Sequence, residues 1–214
     1  MRRIALTLVC ALSVPALAGC GSSSSGASSA GSTETPLSAP APRPANDSRA
    51  LVLQPDDLGP DFAVVPQQTK RITLSHELKN ESAQAKAADR RSYLGGYTAT
   101  FASHAAIVVS EALTYRSSTD AGVVFSDRAA LAYALQEIHG HSVHVPSDYP
   151  GDHHLMMLGR IAANGAELPA AFYGWRDGRH IEGILVVGPN VGKADALQLA
   201  RVQWAHEPQT TGGA

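Results

Sequence analysis

Residues 21–49 are drawn almost wholly from Ser, Gly, Ala, Thr and Pro, and that run decides how much of this 214-residue chain can fold. Its side chains are too small or too polar to bury the apolar surface that would offset the entropy of ordering a backbone. The first half is Ser/Gly-rich and flexible; the second, from Pro36 to Pro44, is Pro-rich and stiffer. As a random coil its ends would lie about 30 Å apart, taking about 5–6 Å times the square root of its length. A packed core is therefore expected only downstream, over residues 50–208, a length that suits a single domain. Residues 209–214 read as a disordered tail, and no internal repeat is visible.

Ahead of that run stand Met1-Arg2-Arg3, an apolar stretch from Ile4 to Ala16, and Leu17-Ala18-Gly19-Cys20. A basic start, a short apolar core and a small-residue cleavage site make up a secretory signal over residues 1–19. The apolar stretch is too short for a permanent membrane helix. Leu17-Ala18-Gly19-Cys20 resembles the lipobox of bacterial lipoproteins. The resemblance implies cleavage before Cys20 and diacylglycerol on its thiol, so that Cys20 is the lipid-attachment residue. It places the protein on the extracytoplasmic face of the cell membrane and makes residues 20–49 a tether.

The two cysteines are Cys10 and Cys20. Cys10 leaves with the signal and Cys20 is acylated, so the mature chain has no thiol for a nucleophile, a thiolate metal site or a disulfide. Without Arg2 and Arg3, 15 Lys and Arg face 19 Asp and Glu, a net charge of −4. An acidic balance argues against nucleic acid and against an anionic membrane surface as electrostatic partners. Contact with the membrane is then expected only through the lipid anchor.

Within 50–208 the pattern alternates between strand and helix. Pro55–Gly59 reads as a short helical turn and Phe62–Leu74 as extended. Ser75 is placed to cap a surface helix over His76–Tyr93, whose apolar stripe is weak. Tyr97–Phe101 and Ile107–Tyr115 alternate as strands. A helix from about Ser118 follows, with Val124, Phe125, Leu131, Leu135 and Ile138 along one stripe and Gly140 past its end. Val143–Val145 and Leu155–Ala163 are strand-like. Ala170–Val187 reads as a hairpin turning at Asp177-Gly178, and Val191–His206 as the last helix. This order predicts an α+β fold: a mostly antiparallel sheet with about three helices packed mainly on one face.

Four pieces, Leu51–Phe62, Leu113–Phe125, Gly151-Asp152 and Trp175–Gly178, resemble small envelope lipoproteins of high-GC Gram-positive bacteria. Some of these look like the extracellular sensor domains of actinobacterial serine/threonine kinases. The resemblance implies an envelope location and ligand binding, and it brings no catalytic motif and no site residue.

Histidine supplies the densest chemistry. His139, His141 and His144 fall close together, and His153-His154 follow Asp152. On an extended segment His139 and His141 share a face, where two imidazoles and a carboxylate can hold a divalent metal; His144 points the other way. Solvated, unrelated histidines on a polar loop give the same pattern, as does a pH-responsive surface. Gly-x-Ser-x-Gly, His-Glu-x-x-His and Ser-x-x-Lys signatures are absent from the sequence. Gly188–Lys193 lacks the spacing of a phosphate loop and reads as a turn into a helix. Phe172, Tyr173 and Trp175 on a strand suit core packing, with pocket lining as the other reading; Phe172 falls on one face and Tyr173 and Trp175 on the other.

These readings predict a lipid-anchored, non-enzymatic envelope protein that binds a small molecule, a lipid or a protein partner, with no cofactor and no catalytic residue. The alternative is a secreted metal-binding protein or metal-dependent hydrolase using the His139–His154 region.

Overall fold

The computed structural model describes residues 47–77, 81–134, 138–145, 149–163 and 166–206. The signal, Cys20, nearly all of the tether and the 209–214 tail lie outside the described residues. In chain order the elements are α1 (Ser48–Leu51), β1 (Ala63–Val64), β2 (Lys70–Ile72), α2 (Leu74–Glu77), α3 (Ala83–Ser92), β3 (Tyr93–Ala102) and β4 (Ile107–Tyr115). There follow α4 (Ser118–Ala134), β5 (His141–Ser142), β6 (His153–Ala163), β7 (Ala166–Asp177), β8 (His180–Val187) and α5 (Lys193–Trp204). The strands form one antiparallel sheet in the order β1-β3-β4-β8-β7-β6-β5. β2 also pairs with β3, against Gly96–Thr98, while β1 takes Phe101 and Ala102. The expected α+β class with an antiparallel sheet is what the chain adopts.

The helices, expected mainly on one face, divide between both. Val108 and Ala112 of β4 join Ile184 and Val186 of β8 in a core closed by Val52, Leu53 and the Ala196, Leu197 and Ala200 face of α5. Leu113 and Tyr115 of β4 point the other way, with Ile181, into a second core closed by Ala85 and Ala88 of α3 and Ala121 and Val124 of α4. The reason lies in the central strands. Ile184–Val187 is apolar without alternation, and a strand of that kind needs cover on both sides.

Local corrections follow from capping and register. The helix expected over His76–Tyr93 starts later: Ser82, not Ser75, caps α3 by accepting from the Ala85 amide at 3.2 Å. Leu74–Glu77 forms a separate turn, α2. Ala85 and Ala88 form the buried face of α3 and pack with Ala121 and Val124 of α4. The β7–β8 hairpin turns one residue later than expected, because Asp177 pairs with His180 and leaves Gly178 and Arg179 as the turn. Gly178 takes φ +51°, the left-handed conformation that glycine adopts without a steric penalty.

Candidate functional site

Thr119, Gly122, Val123 and Ser126 recur at helical spacing on the outer side of α4 and line an open cleft of about 870 Å3. Ser82 and Gln84, at the start of α3, line it together with Asp127. The end of the sheet contributes His153 and His154 of β6 and Arg176 of β7. The lining is mixed: hydroxyls beside the apolar Val123 and Phe125 along α4, a guanidinium and two imidazoles from the sheet, and a carboxylate beside α3.

Arg176 ties this region together. It stands directly across the sheet from His153. Its Nη1 donates to the Ser118 carbonyl at 3.1 Å and its Nη2 to Asp152 Oδ2 at 3.4 Å. A Cβ on Gly122 would stand 3.3 Å from Nη1, so the bare helix face makes room for the guanidinium. The Gly151-Asp152 corner is held in turn: the Asp152 amide donates to the Arg176 carbonyl at 2.8 Å and its carboxylate accepts from the Gly178 amide at 3.3 Å. Gly151 has φ +95°, and a Cβ there would fall 2.7 Å from the Trp175 Cβ. Gly151-Asp152 and Trp175–Gly178, far apart in sequence, are thus one contact.

On the α3 side the Ser82 amide donates to Asp127 Oδ2 at 3.0 Å. Directly before Ser82, Glu81 is buried, and its Oε1 lies 3.3 Å from Nη2 of Arg128, which also reaches Glu111 at 3.5 Å. Glu81 lies within hydrogen-bonding reach of Asp89, which has no solvent contact. Burial, and then the neighbouring Asp89, raise the Glu81 carboxyl from the ordinary carboxylate range to about 8. Tyr115, also fully buried, has its hydroxyl beside Asp89, and burial raises it well above the usual phenol range.

The sequence-predicted histidines do not gather at one point, although His144 and His154 line a common recess of about 300 Å3. His139 exchanges backbone hydrogen bonds with Arg160, at 3.0 and 3.3 Å. His141 pairs with Leu158, four residues from His154, or about 13 Å along a strand. His144 is exposed, and its carbonyl accepts from Lys193 Nζ at 2.7 Å. Of the five, His153 and His154 reach the cleft. Among the described residues no three His, Asp or Glu side chains form a group that could hold a metal.

The aromatic strand is core. Tyr173 and Trp175 are fully buried and stack with ring centroids 5.4 Å apart, and the Tyr173 hydroxyl donates to the Pro150 carbonyl at 2.8 Å. Phe172 lies half-buried on the opposite face, its ring over Gly174 and Gly183. Gly188–Lys193 leads into α5, and the Gly192 amide donates to Asp195 Oδ2 at 2.8 Å, as a helix entry rather than a phosphate loop. Sequence reasoning passed over Arg176, Gly122, Glu81, Asp89 and Asp127. The one available signal was Gly122, a glycine inside a strong helical pattern, which commonly marks a close approach.

No family model matches the chain, and no curated protein matches it. Among solved structures, it is similar to the crystal structure of the extracellular domain of PknH from Mycobacterium tuberculosis, with a TM-score of 0.42 and 6% sequence identity, covering 78% of this chain and 95% of that chain. Among the described residues no helix is long and apolar enough to cross a membrane.

Proposed function

We propose that the chain is a lipid-anchored, extracytoplasmic protein whose one folded domain is a non-enzymatic binding module. The observation that carries this reading is an order along the chain: a secretory signal, Cys20 at its cut, a Ser/Gly/Pro run, and then a domain whose first helix begins at Ser48. A tether of that composition has a use when its first residue is held at a surface and its last carries something folded. The α4 cleft is the binding site in this reading. Its hydroxyls, imidazoles, Arg176 and Asp127 suit a polar ligand or an extended peptide that makes many hydrogen bonds.

The anchor is tested by the mass of the mature protein and by its partition into detergent. A diacylated product beginning at Cys20, lost in Cys20→Ser, is expected; an unacylated, water-soluble product beginning elsewhere overturns the anchor. The cleft is tested by screening polar metabolites and peptides against the mature protein by NMR, with Ser126→Trp to fill it. Shifts confined to α4 and the start of β6, lost in that variant, are expected. Binding that survives Ser126→Trp moves the site elsewhere.

A further inference from the structure

The start of α3 is held against α4 and the sheet by a group of side chains whose charges do not balance. Glu81 and Asp89 are both buried and within hydrogen-bonding reach of each other. Oε2 of Glu81 and both carboxylate oxygens of Asp89 are shielded from solvent, and no backbone amide or cationic side chain donates to them. Two carboxylates in contact have only lone pairs to offer, so the donor this contact lacks is a proton held between them. The groups around the pair are Lys86 of α3, Asp127 and Arg128 of α4, Tyr115 and Glu111 of β4, and Tyr93 of β3. Arg128 divides itself between Glu81 and Glu111, and Asp127 adds a further negative charge. The Tyr115 hydroxyl, without solvent contact, lies within hydrogen-bonding reach of Asp89 and can give it one donor, which leaves the Glu81–Asp89 contact itself still short of a proton.

The two ends of α3 are fastened differently. At its C-terminal end Arg91 pairs with Asp120, and the Ser92 hydroxyl accepts from the amides of Arg116 and Ser117 at 3.1 and 3.0 Å. None of those contacts needs an added proton. At the N-terminal end the fastening is Glu81 and the Ser82–Asp127 hydrogen bond, and Ser82 and Gln84 line the α4 cleft.

We propose that the Glu81–Asp89 pair is a proton-operated latch on the cleft: with one shared proton it holds the Glu81–Gln84 segment against α4, and on losing that proton it releases the segment and widens the cleft. Two buried carboxylates in contact repel and cannot both remain desolvated, and solvent is reached most directly through the Glu81 end. The raised Glu81 carboxyl agrees with a proton held into the neutral range. The latch does not depend on what the cleft binds.

The test is hydrogen exchange on the full mature chain, with rates corrected for intrinsic pH dependence, from about pH 6 to about pH 9. Protection of the Ala85–Asp89 amides is expected to fall ~10-fold or more over that range, since each pH unit above the titration removes a factor of about ten from the protonated fraction. Protection of the β7–β8 ladder stays constant. In Glu81→Gln, which keeps the shape and supplies its own donor, protection of α3 becomes independent of pH. Constant wild-type protection, or an unchanged pH dependence in Glu81→Gln, overturns the latch. Should Glu81→Gln fail to fold, carboxyl-carbon NMR of the wild type decides: titration of the assigned Glu81 carboxyl between about pH 6 and 9 supports the latch, and its absence overturns it.

Discussion

Gln203 of α5 donates to the Glu182 carboxylate of β8 at 2.8 Å, and both residues are sealed from solvent. The same amide nitrogen donates to the Glu111 carbonyl at 3.1 Å, and its oxygen accepts from the Ser110 hydroxyl at 2.6 Å. Ser110 in turn accepts from the Leu53 amide at 2.9 Å. One glutamine therefore sets where α5 lies across β4 and β8, and through Ser110 where the N-terminal arm crosses them. Gln203→Leu strips these buried groups of a partner and is expected to cost about 1–3 kcal/mol. Urea denaturation measures it; a loss no greater than that of Gln198→Leu, on the exposed side of the same helix, would count against this role.

His180 gives the domain a pH dependence of the opposite sign to that of Glu81. Ser48 donates to the Gly95 carbonyl at 3.0 Å and stands 2.9 Å from Thr114 Oγ1, which stands 3.2 Å from His180 Nδ1. Ser48 has spent its proton on Gly95, so Thr114 donates to Ser48 and a neutral His180 donates from Nδ1. Burial, assisted by Arg179, lowers this imidazole from 6.5 to about 4. Between those values the unfolded chain binds the proton and the native chain does not, so His180 makes stability rise with pH over that window. Glu81, raised from 4.5 to about 8, binds its proton in the native state and makes stability fall over its own window. Glu111, raised by burial from 4.5 to about 7, adds a decline of the same sign, so His180 offsets only part of the loss up to about pH 6.5 and a net decline toward pH 8 remains. In His180→Asn urea midpoints measured across a pH series are expected to decline more steeply below pH 6.5, and in Glu81→Gln the decline above about pH 7 disappears.

The aromatic strand acts on stability. Trp175→Ala removes a fully buried ring stacked on Tyr173 and is expected to cost about 3–5 kcal/mol. Tyr173→Phe removes the bond to Pro150 and is expected to cost about 0.5–1.5 kcal/mol. Phe172→Ala, at a half-buried position, should cost less than Trp175→Ala. Thermal unfolding of the three variants gives the order, and a neutral Trp175→Ala would remove the pair from the core.

Gly122 and Arg176 are coupled sterically. Alanine favours a helix interior over glycine by about 1 kcal/mol, but a Cβ at this position would press on the guanidinium at 3.3 Å. Gly122→Ala is therefore expected to gain little in the wild type and close to the full ~1 kcal/mol in an Arg176→Ala background. A double-mutant cycle reads the difference, and equal gains in both backgrounds would show that the glycine has no such role.

Much of the fold was legible because it depends on local periodicity. The alternation of Ile107–Tyr115 and the stripe that includes Val124 placed β4 and α4 where they form. The α3 boundary was misplaced because Ser75 and Ser82 are chemically equivalent caps, and the choice between them came from where the following alanines could dock. The division of helices between two faces was obscured because a continuous apolar strand does not say which element covers which side. The candidate site was largely illegible. Arg176 stood out only as part of the Trp175–Gly178 piece, and nothing in the sequence singled out Glu81, Asp89 or Asp127, since burial of a carboxyl leaves no local mark.

The chain itself determines the fold class: the strand and helix periods downstream of residue 50 follow from side-chain geometry along a single backbone. Tertiary structure decides what these residues do to one another. Gly151 meets Trp175, Arg176 meets Gly122, and Glu81 meets Asp89 only after the sheet has assembled. Desolvation then turns exchangeable polar residues into a clamp, a cleft and a shared proton, because the energy of a charge depends on its surroundings and not on its place in the sequence.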